Sequence, residues 1–330
     1  RHTAALWKYQ PIDKEGLDPM PEYRKSFLAF DDTSITAARV RGKKHKHEGT
    51  NADDWYEIDF VEDVALAAVA DGAGSKPFSR VGAREACGVA VGRLKRSLQK
   101  ILADAASLRE DLSANVEEET FRAACHLVTS AVQDAAREAR RAVETAYYRR
   151  LSDRAYKDFL GRELKLSDFA ATLIITAALP LKEDSERLIV TLQIGDGMAA
   201  TIDAKATFDK TLRLLGHAET GEFSGETDFL TTKGMDSEDN LKRRTKVARC
   251  RADYIFLMTD GVADDYFPNE KELLRLYFDL IANGILEGRA CGSLDELRSS
   301  PMTAEKMKLI RQTAEPAAYP WGNDPKGEIH

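Results

Sequence analysis

Apolar positions along this chain follow two rhythms. Short β-type runs, Ile35–Arg41, Trp55–Phe60 and Val64–Ala70, are separated by the polar loop Gly42–Asp54 and predict the opening strands of an antiparallel sheet. The period then lengthens. Cys87, Val91, Leu94, Leu98 and Ile101 recur at spacings of four and three, one apolar stripe on a helix for which Ser79 is the candidate N-cap. A second stripe, Phe121, Cys125, Val128, Val132, Ala135 and Ala139, follows Ser113 and Asn115, so the two helices are expected to pair as an antiparallel hairpin. Their Arg- and Glu-rich outer faces read as solvated, with a docking surface as the alternative.

Strand-type runs resume at Ala170–Leu179, Arg187–Gly195 and Met198–Asp203, the last two joined by Gly195-Asp196-Gly197 in a hairpin signature. Phe229–Thr232, Lys246–Cys250 and Asp253–Thr259 supply further strands. Helices close the chain, one from Pro268 through Leu273, Leu274, Tyr277, Leu280 and Ile281 to Asn283-Gly284, and one over Thr303–Gln312. Strands, two helices, strands, helices is not the alternation of a doubly wound parallel sheet. It fits the α+β class, with two antiparallel sheets packed as a sandwich and helices outside, an α-β-β-α layering.

Composition narrows the picture. With 330 residues, 43% of them apolar and 31% charged, the chain can bury the core of one large domain. Residues 1–27 carry Pro11, Pro19 and Pro21 without a period, and read as an extended N-terminal arm with no core role, leaving 28–330 as the domain. A net charge of −7 argues against a general nucleic-acid or anionic-membrane binder, which needs a basic face. Cys87, Cys125, Cys250 and Cys291 are scattered, as expected for reduced thiols of a cytoplasmic protein. No apolar run approaches the roughly 20 residues that span a bilayer. Arg1 without a methionine reads as an excised or processed start.

Three sites repeat one design, a buried β run that ends in aspartate beside glycine: Val64–Ala70 into Asp71-Gly72, Leu188–Ile194 into Gly195-Asp196-Gly197, and Tyr254–Thr259 into Asp260-Gly261. Each alone is an ordinary turn pair. Together they place carboxylates at strand exits where glycine permits close approach, and oxygen ligands are what hard divalent cations such as Mg²⁺ and Mn²⁺ take. Asp53-Asp54 adds a fourth acidic pair, directly before Trp55.

These residues carry a resemblance. The run Ala67-Ala68-Val69-Ala70-Asp71-Gly72-Ala73-Gly74-Ser75, with Ser79, Gly82 and Ala83 at the head of the next helix, resembles the second motif of type-2C metal-dependent protein phosphatases, closest to their bacterial branch. Gly42, His45, Gly49-Thr50 and Asp54 match the spacing of its first motif, and Asp168-Phe169-Ala170-Ala171-Thr172-Leu173 resembles its central Thr-containing strand. Ile194-Gly195-Asp196 resembles its Gly-Asp hairpin, Glu222–Thr227 its flap, and Leu257–Val262 its late Asp-Gly motif. The resemblance spans about residues 30 to 265. It implies a binuclear Mn²⁺ or Mg²⁺ centre in which Asp71 bridges both ions, Asp54 and the Gly72 carbonyl serve one, Asp260 binds the other, and Asp196 joins a looser third position. It also implies a metal-bridging water as nucleophile for in-line displacement at phosphorus, with Asp54, Asp71 and Asp260 as the catalytic aspartates.

The chain departs from the family pattern in three places. Ala73 stands where some members carry a histidine suited to protonating the leaving oxygen. Gly49 stands where many carry a phosphate-gripping arginine, which makes His45, Lys46 and His47, beside Lys43 and Lys44, the candidate phosphate-binding charges, with a solvated turn as the alternative. The family's closing aspartate has no clear counterpart; Asp324, between Asn323 and Pro325, is its substitute, and the domain is expected to end before its last strand and ligand. His2, His126, His217 and His330 lack ligand spacing, and neither GxSxG nor a P-loop occurs. The resemblance thus implies hydrolysis of phosphoserine and phosphothreonine in a phosphorylated protein substrate, opposed by a Ser/Thr kinase. A catalytically weak regulatory module and a metal-dependent phosphodiesterase are the alternatives.

Overall fold

A computed structural model describes residues 8–264, apart from 106, 113–115, 182–184, 207–211 and 217–226, together with 276, 277 and 280. The chain begins with a hairpin, β1 (Tyr23–Phe30) and β2 (Thr33–Val40), turned by Asp31-Asp32. A short helix, α1 (Lys43–Glu48), leads to β3 (Trp55–Val61) and β4 (Val64–Ala70). The long helices α2 (Ser79–Asp104) and α4 (Glu118–Leu151) follow, with the single turn α3 (Leu108–Asp111) between them and α5 (Arg154–Leu160) after. A 3₁₀ turn, Leu166–Phe169, delivers the chain to β5 (Leu173–Pro180), β6 (Glu186–Ile194) and β7 (Met198–Ile202). Then come β8 (Leu212–Leu214), α6 (Glu238–Arg244), β9 (Thr245–Arg251), β10 (Tyr254–Met258) and the turn α7 (Asp260–Ala263).

Two compact units divide this chain. The larger holds a five-stranded antiparallel sheet in the order β3-β4-β5-β6-β9. Strand alternation aims Leu66, Ala68 and Ala70 of β4, Leu173, Ile175 and Ala177 of β5, and Leu188, Val190 and Leu192 of β6 into one cluster. There they meet the two predicted stripes, Cys87, Val91, Leu94 and Leu98 of α2 and Val128, Val132, Ala135, Ala139 and Val143 of α4. Nearly every one of these side chains is fully buried, and at roughly 25 cal/mol per Å² of apolar surface this cluster is the main driving term for the unit. The smaller unit, Ala200–Leu214, Ala252–Phe256 and the chain from Gly261, pairs Ala200–Ile202 with Leu212–Leu214 and sets the Tyr254 and Tyr277 rings 5.6 Å apart. The class is α+β, antiparallel sheets with flanking helices.

Several expectations are corrected. The Gly42–Asp54 segment contains α1, whose residues Lys-Lys-His-Lys-His-Glu have no apolar stripe and so leave no periodic signal. Ser79 is the first helical residue rather than the cap; Phe78 precedes the helix, and the Ser79 hydroxyl donates to the Lys76 carbonyl at 3.0 Å. β6 and β7 do not form a hairpin, because they belong to different sheets, and Gly195-Asp196-Gly197 is the crossover. Phe229–Thr232 is a turn, closed by Thr232 N–H donating to the Phe229 carbonyl. The arm has a core role: Met20 joins the main cluster, its N–H donating to Asn51 Oδ1 at 2.8 Å, and the strand β1 starts within it. The helix expected over Thr303–Gln312, most of the one before it, and Cys291 lie outside the described residues.

Candidate metal centre

Register builds the site. Because β3 runs antiparallel to β4 with Trp55 opposite Ala70, the residue before β3 and the residue after β4, Asp54 and Asp71, emerge side by side. The exit of β4 is fastened to the start of β5. Asp71 N–H donates to Thr172 Oγ1 at 2.8 Å, Thr172 N–H donates back to the Asp71 carbonyl at 2.8 Å, and Ala73 N–H donates to the Ala170 carbonyl at 3.0 Å. Gly72 has no room for a side chain: a Cβ there would stand 2.7 Å from the Asp53 carbonyl oxygen and 2.9 Å from Ser79 Cβ. The glycine that flanks the first candidate ligand is thus required by close packing of two backbones around it.

Asp260 enters from the end of β10. Among the described residues, Asp54, Asp71 and Asp260 each offer a carboxylate oxygen within 4.8 Å of the others. Such a set repels itself. Burial, then the neighbouring Asp54 and Asp260 carboxylates, a hydrogen bond with Asp54, and Asp196 push the Asp71 carboxyl up to about 9. Asp196 therefore lies close enough to be felt at Asp71; its Oδ2 accepts from the Thr227 hydroxyl at 2.8 Å. Asp54 Oδ1 and Asp196 Oδ1 are buried without a hydrogen-bond partner. Uncompensated buried carboxylate oxygens that converge with other carboxylates are what a hard divalent cation would satisfy, so the residues present fit Mg²⁺ or Mn²⁺.

The basic candidates separate. His45 turns toward the acidic side, with Nδ1 2.7 Å from Thr50 Oγ1 and Nε2 3.9 Å from Asp53 Oδ2; burial lowers its pKa although Asp54 and Glu48 oppose that. His47 is engaged by the N-terminal arm, its Nδ1 accepting from Lys8 N–H at 3.2 Å, and the Lys46 carbonyl accepts from Gln10 N–H at 2.7 Å. Asp324 lies outside the described residues, as do Glu222–Glu226 of the flap.

The supports of this site carry no motif in the sequence. Arg39, buried on β2, donates to the Asp54 carbonyl at 2.9 Å and lies over the Trp55 ring at 4.9 Å. Asp53, the other half of the acidic pair, is raised to about 7 by burial, with Arg80 opposing and Asp54 adding to the rise. Arg80 in turn grips the Leu17 and Asp18 carbonyls of the arm. An isolated arginine on an alternating strand carries no sequence signal for such a role.

The sequence profile of the family described as Protein phosphatase 2C matches residues 41–290, most of the chain. The protein belongs to the protein phosphatase 2C family, whose members are metal-dependent phosphatases. Similar solved structures include a bacterial serine phosphatase (12% identity, 89% of this chain and 91% of that one, TM-score 0.40). A serine/threonine phosphatase from Staphylococcus aureus matches at 12% identity over 92% and 93% of the two chains, TM-score 0.39. The serine-threonine phosphatase 2C from Toxoplasma gondii matches at 14% identity over 80% and 86%, TM-score 0.42. No curated protein sequence matches.

Proposed function

We propose that this chain hydrolyses phosphoserine and phosphothreonine in proteins, using two Mn²⁺ or Mg²⁺ ions. The observation that carries the reading is the convergence of Asp54, Asp71 and Asp260, from three separate strand ends, to within 4.8 Å. Asp71, central to the cluster, would be shared between the ions; Asp54 with the Gly72 carbonyl would complete one side and Asp260 the other. Asp196, with one oxygen fixed by Thr227 and the other unpartnered, suits a looser third position, and Asp324 is a candidate further ligand. Such ions supply, when bound, a water of lowered pKa and charge stabilisation for in-line displacement at phosphorus. Of the three basic candidates, His45 turns toward the acidic cluster with its ring held by Thr50, and with its pKa lowered by burial it would meet a phosphate oxygen as a neutral hydrogen-bond donor rather than as a charge. Lys46 and His47 are set apart by the arm's contacts to their backbone and ring.

A phosphorylated protein, and with it an opposing kinase, fits the family. Among the described residues no helix is long and apolar enough to cross a membrane. A cytoplasmic setting is consistent with the free thiols Cys87 and Cys125.

The test is release of phosphate from a phosphopeptide with Mn²⁺ present. Asp71→Asn and Asp260→Asn should each reduce it by about a hundredfold to a thousandfold, the scale on which removing a preorganised electrostatic group acts. Wild-type rates in either variant would overturn the assignment. A regulatory module, favoured by Ala73 in place of a proton donor, would show calorimetric Mn²⁺ binding with no turnover; a phosphodiesterase would prefer a cyclic dinucleotide to the phosphopeptide.

A further inference from the structure

The structure assigns Thr172 as a positioning residue that sets two acidic strand ends at once, an inference that rests on the metal-centre reading above. Thr172 is buried at the head of β5 and is held to Asp71 from both sides. Its hydroxyl accepts the Asp71 N–H and its own N–H donates to the Asp71 carbonyl, both at 2.8 Å. With both bonds made, the peptide groups on either side of the Asp71 Cα are fixed, and so is the direction in which the carboxylate leaves the backbone.

The methyl of the same side chain does a second job. Gly195 takes a positive φ of 104°, and a Cβ on it would fall 2.4 Å from Thr172 Cγ2 and 2.6 Å from Thr172 Cβ. The turn that carries Asp196 therefore lies directly on the Thr172 side chain. The buried Gln193 holds that turn from the other direction, donating to the Gly195 carbonyl at 3.2 Å and to the Gly197 carbonyl at 2.5 Å. One β-branched hydroxyl residue thus spans the gap between Asp71 and the Asp196 turn. No other side chain type provides both an acceptor and a methyl at this spot: serine lacks the methyl and valine lacks the oxygen. Groups that orient metal ligands in this way typically govern affinity tenfold to a hundredfold.

The two functions can be separated by substitution. Thr172→Val keeps the methyl packing and removes the acceptor for the Asp71 N–H. Thr172→Ser keeps the acceptor and removes the methyl. Calorimetric Mn²⁺ titration of the full chain, with melting curves alongside, is the readout. Thr172→Val should weaken binding by about tenfold or more. Thr172→Ser should bind its tightest Mn²⁺ within about threefold of wild type. Thr176→Val is the control, because it removes a buried hydroxyl from the same strand, 2.9 Å from Thr191 Oγ1 and opposite Ala67 rather than at the Asp71 end of β4, and should leave affinity unchanged. Should the valine variant fail to fold, Thr172→Cys, which like Thr172→Ser lacks the methyl but offers a weaker acceptor, is expected to bind Mn²⁺ more weakly than Thr172→Ser. Equal affinities in wild type and Thr172→Val, or in the cysteine variant used in its place, would overturn the inference, as would an equal loss in Thr172→Val, Thr172→Ser and Thr176→Val. A wild-type chain that binds no Mn²⁺ would overturn the metal-centre reading as well, which keeps the two failures distinct.

Discussion

At the residue scale, the carboxyl of Asp71 dominates the behaviour of the metal-free protein. An unfolded chain holds this group near its ordinary value of 3.8, whereas burial and the surrounding Asp54, Asp260 and Asp196 raise it to about 9 in the fold. Between those values the native state binds the extra proton, so stability falls as pH rises from about 4 toward 9. Urea denaturation in EDTA should show that decline, and Asp71→Asn should flatten it, because an amide has no proton to lose. Metal works in the opposite direction. Since a cation must displace the proton, Mn²⁺ affinity should climb with pH, by up to roughly tenfold per unit below the raised value, and level off above it. A pH-independent affinity between 6 and 8 would overturn this expectation. Asp71, Asp196 and Asp260 were legible in sequence because each follows an apolar run beside glycine, and Asp54 because its acidic pair stands directly before a strand. Arg39, Asp53 and Thr172 were not legible as supports, since their importance lies in partners 15, 18 and 101 residues away or in burial alone.

At the element scale, the arm is fastened to the end of α4 by a compact polar knot. Asp18 accepts from Arg150 Nη2 at 2.6 Å, from Arg150 Nε at 2.9 Å, and from the Tyr156 hydroxyl at 2.8 Å. Burial alone would raise the Asp18 carboxyl, but these donors outweigh it and hold it below the usual carboxylate range. A lowered folded value means that the stabilisation is present above the unfolded value of 3.8 and is lost as pH falls through the folded one. Asp18→Asn should therefore cost about 1.5–3 kcal/mol at pH 7, the range for charge-assisted hydrogen bonds, and progressively less below pH 4. Chemical denaturation of wild type and variant at pH 7 and pH 3 checks this; an equal difference at both would mean the knot acts by packing. The two long helices were readable because their apolar residues repeat at 3.6, and the inner strands because they are short, nearly continuous apolar runs. α1 and β1 were not, although Ile35–Arg41 did read as the strand that is β2: α1 has no apolar face, and β1 exposes Tyr23 and Phe27 and turns into β2 through aspartates without glycine.

At the scale of the whole molecule, a cation at the acidic centre would link folding to ligand. Binding only to the native state stabilises it by about 2.7 kcal/mol when the free ion is at a hundred times its dissociation constant. Melting should accordingly rise on adding Mn²⁺ and fall back on chelation, and the rise should vanish in Asp71→Asn; a melting temperature indifferent to Mn²⁺ would count against the centre. Sequence by itself determined the α+β class, the strand–helix–strand order and the acidic strand ends, because hydrophobic periodicity and residue chemistry are local and survive in one dimension. It could not say that β6 and β7 enter different sheets, that Met20 of the arm reaches the core, or that His45 and His47 face different surroundings. Those outcomes depend on which surfaces meet. Only the tertiary structure brought Asp54, Asp71 and Asp260 within a single ion's reach, because antiparallel register and the close packing at Gly72 decide which strand ends coincide.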